Sequence, residues 1–493
     1  MCGISLSLRL VPHHSSSSVQ DHLSKSLEAP IKARGPDSYQ TFQTRIPLDS
    51  QWDVELTLSV SVLSLRGTGT VRQPVVTHRG VLAWNGQIFQ GVHVGKEDND
   101  TAKLAELIDS TDVDDPRALL PHIEGPYAFV FFDTKTQTLF FQVDPLSRRS
   151  LLIHPIDHNA PMQTFMLSST RVESLSRLQD DPRVSDDNES HVADFLQRLA
   201  SSVRRRIENI PNPRSGDARV AVLFSGGVDC SLLAALIHRF IPADEPIDLL
   251  NVAFAQLPDA KSVDLPRFDV PDRLSGRQSL GELRAACPRR QWRFVEINVS
   301  QKECEEHRSA VMDLMYPNAT EMDLSLAYPL YFASRGQGHA QAEAYEPYST
   351  AAKVYISGLG ADEQLAGYAR HRGAFQRDGI GGLLDELQKD LDRLPTRNLA
   401  RDDRLISSHG RESRYPYLDL SFVTYLSSLP LSIKCDLSRE GGDKALLRAA
   451  AAKCGLTETS QRIKRAMQFG TRSAKMSGQD KPRAKRGQQL ANE

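Results

Sequence analysis

The sequence predicts two folds in one chain, an antiparallel α+β part followed by a parallel α/β part. Residues 4–10 alternate apolar and polar side chains, as a half-buried strand does, and residues 56–65 alternate almost as regularly. After residue 216, short apolar segments alternate with helical segments, which indicates a parallel sheet. A length of 493 residues also exceeds what one ordinary hydrophobic core accommodates. We therefore expect at least two domains.

The elements of each part follow from local patterns. In the first part, residues 127–132 and 139–143 are short apolar runs rich in aromatic residues and predict two more strands. The polar, acidic stretch 177–189 predicts a linker, followed by a helix with apolar residues at helical spacing from 192 to 203. In the second part, the predicted strands are 220–224, 249–254, 294–299 and 354–356, and the predicted helices include 421–428 and 444–453. The expected organisation is a first domain over 2–175, a linker and helix over 176–218, a second domain over 219–475 and a disordered basic tail over 476–493.

Composition excludes several classes of function. Lys and Arg total 60 against 62 Asp and Glu, so the chain lacks the basic excess of an electrostatic nucleic-acid binder. No apolar run approaches the roughly 18 residues of a membrane span, and the first residues carry no signal-peptide pattern. Six cysteines without a Cys-x-x-Cys pair predict neither a disulfide framework nor a common zinc site. We expect a cytoplasmic enzyme with small-molecule substrates and no nucleic-acid or membrane partner.

Cys2 carries the first chemical signal. Because a small residue follows Met1, removal of Met1 is expected to leave Cys2 at the amino terminus. A terminal cysteine carries its own base, since an α-amine with a pKa near 7.7–8.0 is partly neutral and can take the thiol proton. Nucleophile and base then belong to one residue.

Four further motifs follow Cys2 in order: Arg-Gly-Pro-Asp at 34–37, Leu-Arg-Gly at 65–67, Trp-Asn-Gly-Gln-Ile-Phe at 84–89 and Asn-Asp-Thr at 99–101. With Cys-Gly-Ile at 2–4, they resemble the class II glutamine amidotransferase domain, which has an N-terminal-nucleophile (αββα) fold. The resemblance implies that Asn85 and Gly86 form the oxyanion hole. It also implies that Arg66 binds the glutamine carboxylate and Asp100 its ammonium, with Gln87 at a glutamine-binding position where the family usually has Glu.

A glycine-rich loop joins a predicted strand to a predicted helix at Val-Ala-Val-Leu-Phe-Ser-Gly-Gly-Val-Asp-Cys-Ser, residues 220–231. Glycines let backbone N–H groups approach an anion, and the helix amino terminus adds a positive dipole end, so the loop predicts a pyrophosphate site. It is not a Walker A loop, because the Gly-Lys-Ser/Thr ending is missing. It resembles the PP-motif of enzymes that adenylate a substrate and release pyrophosphate. The ATP-binding residues expected here are Ser225, Gly226, Gly227, Asp229, Cys230 and Ser231, with Asp229 also a ligand of Mg²⁺.

A second glycine-rich loop with two adjacent carboxylates occupies residues 355–368. With the PP-motif, the segment 444–448 and Lys464, it resembles the synthetase domain of asparagine synthetase, a PP-loop, ATP pyrophosphatase-type parallel α/β domain. By that resemblance Ser357 and Gly358 bind ATP, Asp362 binds Mg²⁺ and Lys464 stabilises charge during catalysis. Segments 271–277, 401–404 and 465–470 resemble a divergent branch, the asparagine synthetase domain-containing proteins.

The resemblance implies a two-site reaction with ATP and Mg²⁺ as cofactors. Glutamine is hydrolysed at Cys2, and the ammonia reaches a second site where aspartate is activated as a β-aspartyl adenylate. One departure lies in that second site, because Leu359 stands where the family has a catalytic glutamate before the Asp-Glu pair. With Gln87, it leaves two alternatives open: a catalytically weakened or regulatory nucleotide-binding homologue, and an amidotransferase with a different carboxylate acceptor.

Three charged features predict structural roles only. Arg204–Arg206 are expected to form the solvated end of a helix. His371, between two arginines, is expected on a helix surface. Asp402 and Asp403 are expected to form structural ion pairs, because adjacent side chains on a helix diverge.

Overall fold

A computed structural model describes residues 2–13, 22–152, 164–166, 188–256, 267–341 and 345–476. The chain divides into two compact units, which are described separately. The first contains Met1–Glu173 and the later segment Asn398–Arg411, and the second contains Ser174–Arg397 and Glu412–Glu493. The sequence patterns gave no sign that residues 398–411 group with the first unit. The predicted linker up to residue 187 and the predicted tail from residue 477 lie outside the described residues.

Two antiparallel sheets form the first unit. Their strands are β1 (Gly3–Pro12), β2 (Ser38–Pro47), β3 (Trp52–Val62), β4 (Val75–Val76), β5 (Gly80–Gly86), β6 (Tyr127–Asp133), β7 (Thr138–Val143) and β8 (Thr164–Met166). One sheet has the order β2-β3-β1-β8 and the other β4-β5-β6-β7. β1 pairs with β3 along its whole length, with Gly3 opposite Ser61. The strands predicted from alternation and from aromatic runs are confirmed.

The side-chain period of two divides each sheet into an inner and an outer face. Leu58 and Val60 of β3 pack with Val81 and Val130 of the second sheet in a core between the two sheets. On the outer face of the second sheet, aromatic residues such as Phe129 pack against the helix Asp100–Ser110. The helix His22–Arg34 covers the first sheet, where Ser61 Oγ donates to the carbonyl of Ile31 at 2.6 Å. The layers of this unit therefore run helix, sheet, sheet, helix.

Two more helical segments belong to this unit, the 3-10 helix Pro116–His122 and the helix Ala400–Ser407. The second carries Asp402, which pairs with Arg401 at 2.7 Å, and Asp403, which pairs with Arg34 at 2.9 Å. The prediction of structural ion pairs at Asp402 and Asp403 is confirmed.

A seven-stranded sheet forms the second unit, in the order β13-β12-β11-β10-β9-β14-β15. Its strands are β9 (Val220–Leu223), β10 (Ile247–Phe254), β11 (Trp292–Val299), β12 (Gln337–Gln341), β13 (Tyr345–Ser349), β14 (Val354–Ile356) and β15 (Glu412–Arg414). Five adjacent strands, β11, β10, β9, β14 and β15, are parallel. Four of them were predicted, whereas β15 was not. β12 and β13 form an antiparallel edge hairpin that was not predicted, because its sequence is polar and does not alternate.

Helices flank this sheet. Their bounds, including short 3-10 and π segments, are Asn188–Ile207, Val228–Ile237, Pro271–Ala286, Gln301–Glu306, Arg308–Met315, Glu321–Ser334, Ala361–Gln364, Ala369–Leu394, Pro395–Leu399, Pro416–Leu418, Leu420–Ser428, Leu431–Lys434, Ala445–Lys453, Thr457–Gln461, Met467–Gly470 and Ser473–Lys475. Among the helices that the structure describes, none is long and apolar enough to cross a membrane.

The end of the helix Asn188–Ile207 differs from the prediction. Arg206 is buried and donates to Asp419 Oδ2 at 2.8 Å, and Arg205 donates to the same atom at 2.8 Å. The expectation of a solvated arginine cluster was therefore wrong for these two residues. The acidic partner lies far away in the sequence, so no local pattern revealed it.

The strand order places a ligand site. From β9 the chain runs to β10 on one side, whereas β14 lies on the other side of β9. In open α/β sheets, ligands bind outside the carboxyl ends of the strands where the order reverses in this way. The loops that follow β9 and β14 are therefore expected to form one cleft.

Two candidate active sites

Cys2 lies immediately before β1 and is buried against β5. Its backbone nitrogen donates to Asn85 Oδ1 at 3.0 Å. Its Sγ lies 3.6 Å from Gln73 Nε2, which donates to it. The two residues predicted as nucleophile and oxyanion donor are thus in contact. The predicted removal of Met1 would make the Cys2 nitrogen the terminal amine.

The Nδ2 group of the Asn85 amide is not used within the described residues. Among the described residues, none accepts a hydrogen bond from Asn85 Nδ2. Gly86 ends β5 opposite Tyr127, and the next residue, Gln87, is buried with its backbone N–H bonded to the carbonyl of Pro126 at 2.9 Å. The Asn-Gly-Gln segment is thus fixed by its backbone while one amide group stays available.

Gln73 supports the same site and was missed from the sequence. Its Nε2 also donates to the carbonyl of Trp84 at 3.0 Å and to Thr101 Oγ1 at 3.2 Å. Its Oε1 accepts from the Trp84 backbone N–H at 2.7 Å. The buried amide therefore ties the loop before β4 to the strand that carries Asn85. A single glutamine in a polar loop gives no pattern from which this role could be predicted.

Arg66 and Asp100, predicted to bind the two charged groups of glutamine, are paired with each other. Arg66 Nη1 donates to Asp100 Oδ1 at 2.7 Å and to the carbonyl of Ile88 at 2.6 Å. Its Nη2 donates to the carbonyl of Val94 at 2.8 Å, while its Nε has no partner among the described residues. Asn99 caps the helix that begins with Asp100. The two residues assigned to glutamine binding thus neutralise each other, and their role in binding glutamine stays a prediction.

In the second unit, the loop after β9 is held by the helix that follows β10. Gly226 has a φ of +77°, and a Cβ there would lie 2.4 Å from the backbone nitrogen of Gly276, so only glycine fits. Ser275 Oγ donates to the carbonyl of Ser225 at 2.9 Å, and Ser279 Oγ donates to the carbonyl of Gly226 at 2.9 Å. These contacts fix the loop before any ligand binds.

The predicted ATP-binding residues of this loop divide into two groups. Ser225, Gly227 and Asp229 line a cleft of about 500 Å³, including its opening to solvent. The Cys230 thiol instead donates to the carbonyl of Gly227 at 3.3 Å, and burial raises its pKa. Ser231 is fully buried, and its Oγ has no hydrogen-bond partner in the described part of the chain. Neither Cys230 nor Ser231 lines the cleft.

The loop after β14 lies against the first loop. A Cβ built on Gly358 would lie 3.1 Å from Asp229 Cβ. Ser357 Oγ accepts from the backbone N–H of Leu359 at 3.3 Å, and the Leu359 side chain is half-buried. The two glycine-rich loops therefore meet as the strand order requires, and Leu359 supplies no titratable group to them.

Lys444 joins the two loops. Its Nζ lies 2.8 and 2.7 Å from the two carboxylate oxygens of Asp229. It also forms an ion pair with Asp362 Oδ1 at 2.6 Å. Lys464 donates to Asp362 Oδ2 and lies 3.9 Å from Asp229 Oδ2. Two carboxylates and two ammonium groups thus form one cluster at the carboxyl ends of β9 and β14. Lys444 is almost completely buried, a position that its sequence did not indicate.

Charge pairing sets the ionisation of this cluster. Burial raises the pKa of Asp362, but Lys444 and Lys464 outweigh it and hold that pKa well below its ordinary value. Burial lowers the pKa of Lys464, but Asp362 and Asp229 raise it above the ordinary value. Both partners therefore stay charged at neutral pH.

Glu363 orients the second loop. Its Oε2 accepts from the backbone N–H of Gly360 at 3.0 Å, and its Oε1 accepts from the Tyr368 hydroxyl at 2.6 Å. Burial and the neighbouring Asp362 charge raise the pKa of Glu363. Its contacts are thus directed to the loop itself.

His371 corrects a second expectation. It is fully buried, not on a helix surface. Its Nδ1 accepts from the backbone N–H of Tyr368 at 3.2 Å, so its Nε2 carries the proton and donates to Asp390 Oδ2 at 2.7 Å. A break at Gly379, with a φ of 65°, divides the segment Ala369–Leu394 into two helices, which brings His371 and Asp390 together.

The chemistry of the cluster fits Mg²⁺ that arrives with a nucleotide. Asp229 and Asp362 present the carboxylate oxygens that Mg²⁺ prefers, and Lys444 pairs with both carboxylates. Within the described ranges, no group of three or more His, Cys, Asp or Glu residues could hold a metal ion. Mg²⁺ commonly completes its coordination with substrate phosphates and water, as these two carboxylates would require.

Comparison with known proteins agrees with this arrangement. A sequence profile of the family described as "Asparagine synthase" matches residues 194–385 and 377–490, which include both glycine-rich loops. The chain is thus a protein with an asparagine synthase domain. "Asparagine synthetase domain-containing protein 1" of Gallus gallus is 32% identical, with 97% of each chain covered. The Homo sapiens protein of the same name is 33% identical over 97% of this chain and 95% of its own.

The similarity extends to a second group. "Putative asparagine synthetase [glutamine-hydrolyzing] 1" of Methanocaldococcus jannaschii is 28% identical, over 49% of this chain and 37% of its own. The chain belongs to the asparagine synthetase family, and over nearly its full length it is similar to the family's asparagine synthetase domain-containing proteins.

Proposed function

We propose that the protein is an ATP-dependent, glutamine-hydrolysing amidotransferase of the asparagine synthetase type. The observation that carries the proposal is the position of Lys444, between Asp229 of one glycine-rich loop and Asp362 of the other. This cluster faces the cleft that holds the phosphate-binding loop, at the switch point of a parallel sheet. Such a site suits a reaction that separates pyrophosphate from a nucleotide.

The positive charge of the cleft suits a triphosphate. Five basic side chains line it: Lys444, Arg448, Arg462, Lys464 and Arg465. Backbone N–H groups of the loop and the amino terminus of the helix Val228–Ile237 add donors for phosphate oxygens. Mg²⁺ held by Asp229 and Asp362 would neutralise phosphate charge when it is bound.

The resemblance to asparagine synthetases supplies the proposed acceptor reaction. The β-carboxylate of aspartate attacks the α-phosphorus of ATP, forming an acyl phosphate bond while the bond to pyrophosphate breaks. Lys464 lies at the mouth of the cluster, and its ammonium offsets the charge that develops on the phosphorus oxygens. Ammonia then attacks the acyl carbon, a proton leaves the nitrogen and AMP departs, giving asparagine.

The first unit would supply the ammonia. Its helix–sheet–sheet–helix layers and its motif order support the assignment as an N-terminal-nucleophile glutamine amidotransferase domain. Arg66 and Asp100 pair with each other. In the proposed complex they exchange this contact for the carboxylate and the ammonium of glutamine. The Cys2 amine takes the thiol proton, the thiolate attacks the side-chain amide carbon, and Asn85 Nδ2 donates to the resulting oxyanion. The amide nitrogen then takes the proton from the Cys2 amine and leaves as ammonia when the carbon–nitrogen bond breaks, and water releases glutamate from the resulting thioester.

The direct test uses the full chain with glutamine, aspartate, ATP and Mg²⁺, and measures glutamate, pyrophosphate and asparagine. The Cys2→Ala variant is expected to lose glutamate formation and to keep pyrophosphate release with ammonium as nitrogen donor. The Lys464→Met variant is expected to keep glutamate formation and to lose pyrophosphate release. If the wild-type protein releases no pyrophosphate with either nitrogen donor, the proposal is wrong.

Leu359 favours a second candidate, in which the acceptor is a different carboxylate or the synthetase reaction is weak. A half-buried leucine in the second loop cannot take a proton or bind an ammonium group. A Leu359→Glu variant that gains asparagine synthesis would show that this position limits the reaction with aspartate. Pyrophosphate release is then measured with a series of carboxylic acids, and release with one of them identifies a changed acceptor. If calorimetry detects ATP binding but no acid supports pyrophosphate release, the protein only binds the nucleotide.

A further inference from the structure

Asp272 is a buried carboxylate in the cleft for which the proposed reaction has no role. Only 6% of the residue is exposed, and its Oδ2 is enclosed without a hydrogen-bond partner among the described residues. It lines the same cleft as Asp229 and Lys464. Burial raises the pKa of Asp272 to about 7, and the opposing charges of Lys464 and Arg465 lower it only in part. A carboxylate enclosed in this way indicates a missing hydrogen-bond donor.

The position of this carboxylate is fixed relative to the phosphate-binding loop. Asp272 is in the first turn of the helix Pro271–Ala286. Its backbone carbonyl accepts from Asn251 Nδ2 at 2.9 Å, and one turn later Ser275 Oγ binds the carbonyl of Ser225. The backbone of Gly470 packs against the carboxylate oxygens. The carboxylate therefore cannot move away to pair elsewhere without a change in the loop contacts.

The substrates offer few donors that suit this position. Phosphate groups carry acceptors and negative charge, so a carboxylate repels them. The ammonium group of an amino-acid substrate would stand beside Lys464 and Arg465, which oppose it. The amino group of adenine is flanked by ring nitrogens that are acceptors, so the second carboxylate oxygen would face a lone pair. A neutral hydroxyl avoids all three conflicts, because an O–H group donates a hydrogen bond without adding a charge or a neighbouring acceptor.

We infer that Asp272 binds the ribose hydroxyls of ATP and so makes the cleft selective for ribonucleotides. The inference rests on the proposed nucleotide site and specifies which part of the nucleotide lies against the helix after β10. A carboxylate beyond a neighbouring strand takes ribose hydroxyls in other α/β nucleotide sites. Asp272 follows β10, the strand next to the one that leads into the phosphate-binding loop.

The experiment measures Kd by calorimetry for ATP, 2′-deoxy-ATP and 3′-deoxy-ATP, with wild type, Asp272→Ala and Asp272→Asn. Loss of a hydrogen bond to a charged group predicts that wild type binds at least one deoxynucleotide about 10- to 100-fold more weakly than ATP. Asp272→Ala should weaken ATP binding by a similar factor and leave the affinity for that deoxynucleotide unchanged. Asp272→Asn keeps the side-chain shape and should lose most of the discrimination, so it tests the inference if the alanine variant is unstable.

Asp269→Ala is the matched control, because this exposed carboxylate pairs with Arg277 on the same helix. It should discriminate among the nucleotides as wild type does. If the Asp272 variants weaken all three nucleotides equally, or if wild type binds all three equally, the ribose contact is wrong and the nucleotide site stands. If wild type binds none of them in the presence of Mg²⁺, both the inference and the proposed function are wrong.

Discussion

Asp403 Oδ2 accepts a hydrogen bond from Arg34 Nη2 at 2.9 Å, although 369 residues separate them in the sequence. The carboxylate is fully buried and also accepts from the backbone N–H of Ser150 at 3.2 Å, with Arg149 Nη1 at 3.7 Å from its Oδ1. Arg34 belongs to the Arg-Gly-Pro-Asp motif of the first unit, and Asp403 lies on the late segment Asn398–Arg411. A buried ion pair therefore fixes this late segment within the first unit.

Replacement of Asp403 by alanine is expected to lower the free energy of unfolding by about 3–5 kcal/mol, because it leaves buried arginine charge without its partner. Urea denaturation followed by circular dichroism measures the change. Glu28→Ala, which removes the exposed partner of Lys32, is the control and should change the free energy by less than about 0.5 kcal/mol. A loss below about 1 kcal/mol for Asp403→Ala would show that the carboxylate does not hold the segment.

Lys444→Met tests the cluster at the two glycine-rich loops. Without the buried ammonium, Asp229 and Asp362 face each other with only Lys464 between them, so we expect a loss of about 3 kcal/mol in unfolding free energy. Pyrophosphate release should fall below detection. Lys453→Met removes a half-exposed lysine from the helix that begins just after Lys444 and should change neither measurement. Unchanged stability of Lys444→Met would contradict the bridging role of Lys444.

Local patterns predicted much of the fold. Alternation predicted β1 and β3, and strand–helix alternation predicted the parallel strands on either side of β9. Alternation worked for β1 and β3 because one face of each strand is more buried than the other. The parallel strands were predicted as short continuous apolar runs because both of their faces are buried. The β12–β13 hairpin and the Arg206–Asp419 ion pair were missed, since neither an edge strand of polar residues nor a distant partner leaves a local signal.

The candidate sites divide in the same way. Asp229 and Asp362 were found because glycine-rich loops after apolar strands form a recognisable pattern. Lys444 was noticed only as part of the segment 444–448 and was given no role, and Gln73 was missed, because the importance of both depends on burial between distant segments. Asp272 was seen within a motif, but only its enclosure without a partner indicates a role.

Asn85→Ala tests the oxyanion contact in the first unit. The variant loses an amide donor that no described residue uses, so the kcat for glutamate release should fall by roughly 10²- to 10³-fold with a small change in KM. Ammonia-dependent pyrophosphate release should be unaffected. Glutamate assays across glutamine concentrations separate kcat from KM, and Cys2→Ala gives the background rate. An increase in KM alone would indicate that Asn85 binds the substrate and does not stabilise the transition state.

The raised pKa of Asp272 predicts a pH dependence of stability that needs no ligand. Burial raises this pKa from its ordinary 3.8 to about 7, so between these values the folded state binds the proton more tightly than the unfolded chain. The contribution of Asp272 to the free energy of unfolding is fully favourable below about pH 4 and is lost as the pH rises to about 7.

Asp272→Asn cannot ionise, so it should lose less stability than wild type across that range and be the more stable protein at pH 8. Urea denaturation of both proteins from pH 4 to pH 8 measures the difference, in which the other titrating groups cancel. Parallel curves would show that Asp272 is ionised in the folded protein throughout, which requires a donor that pairs with it.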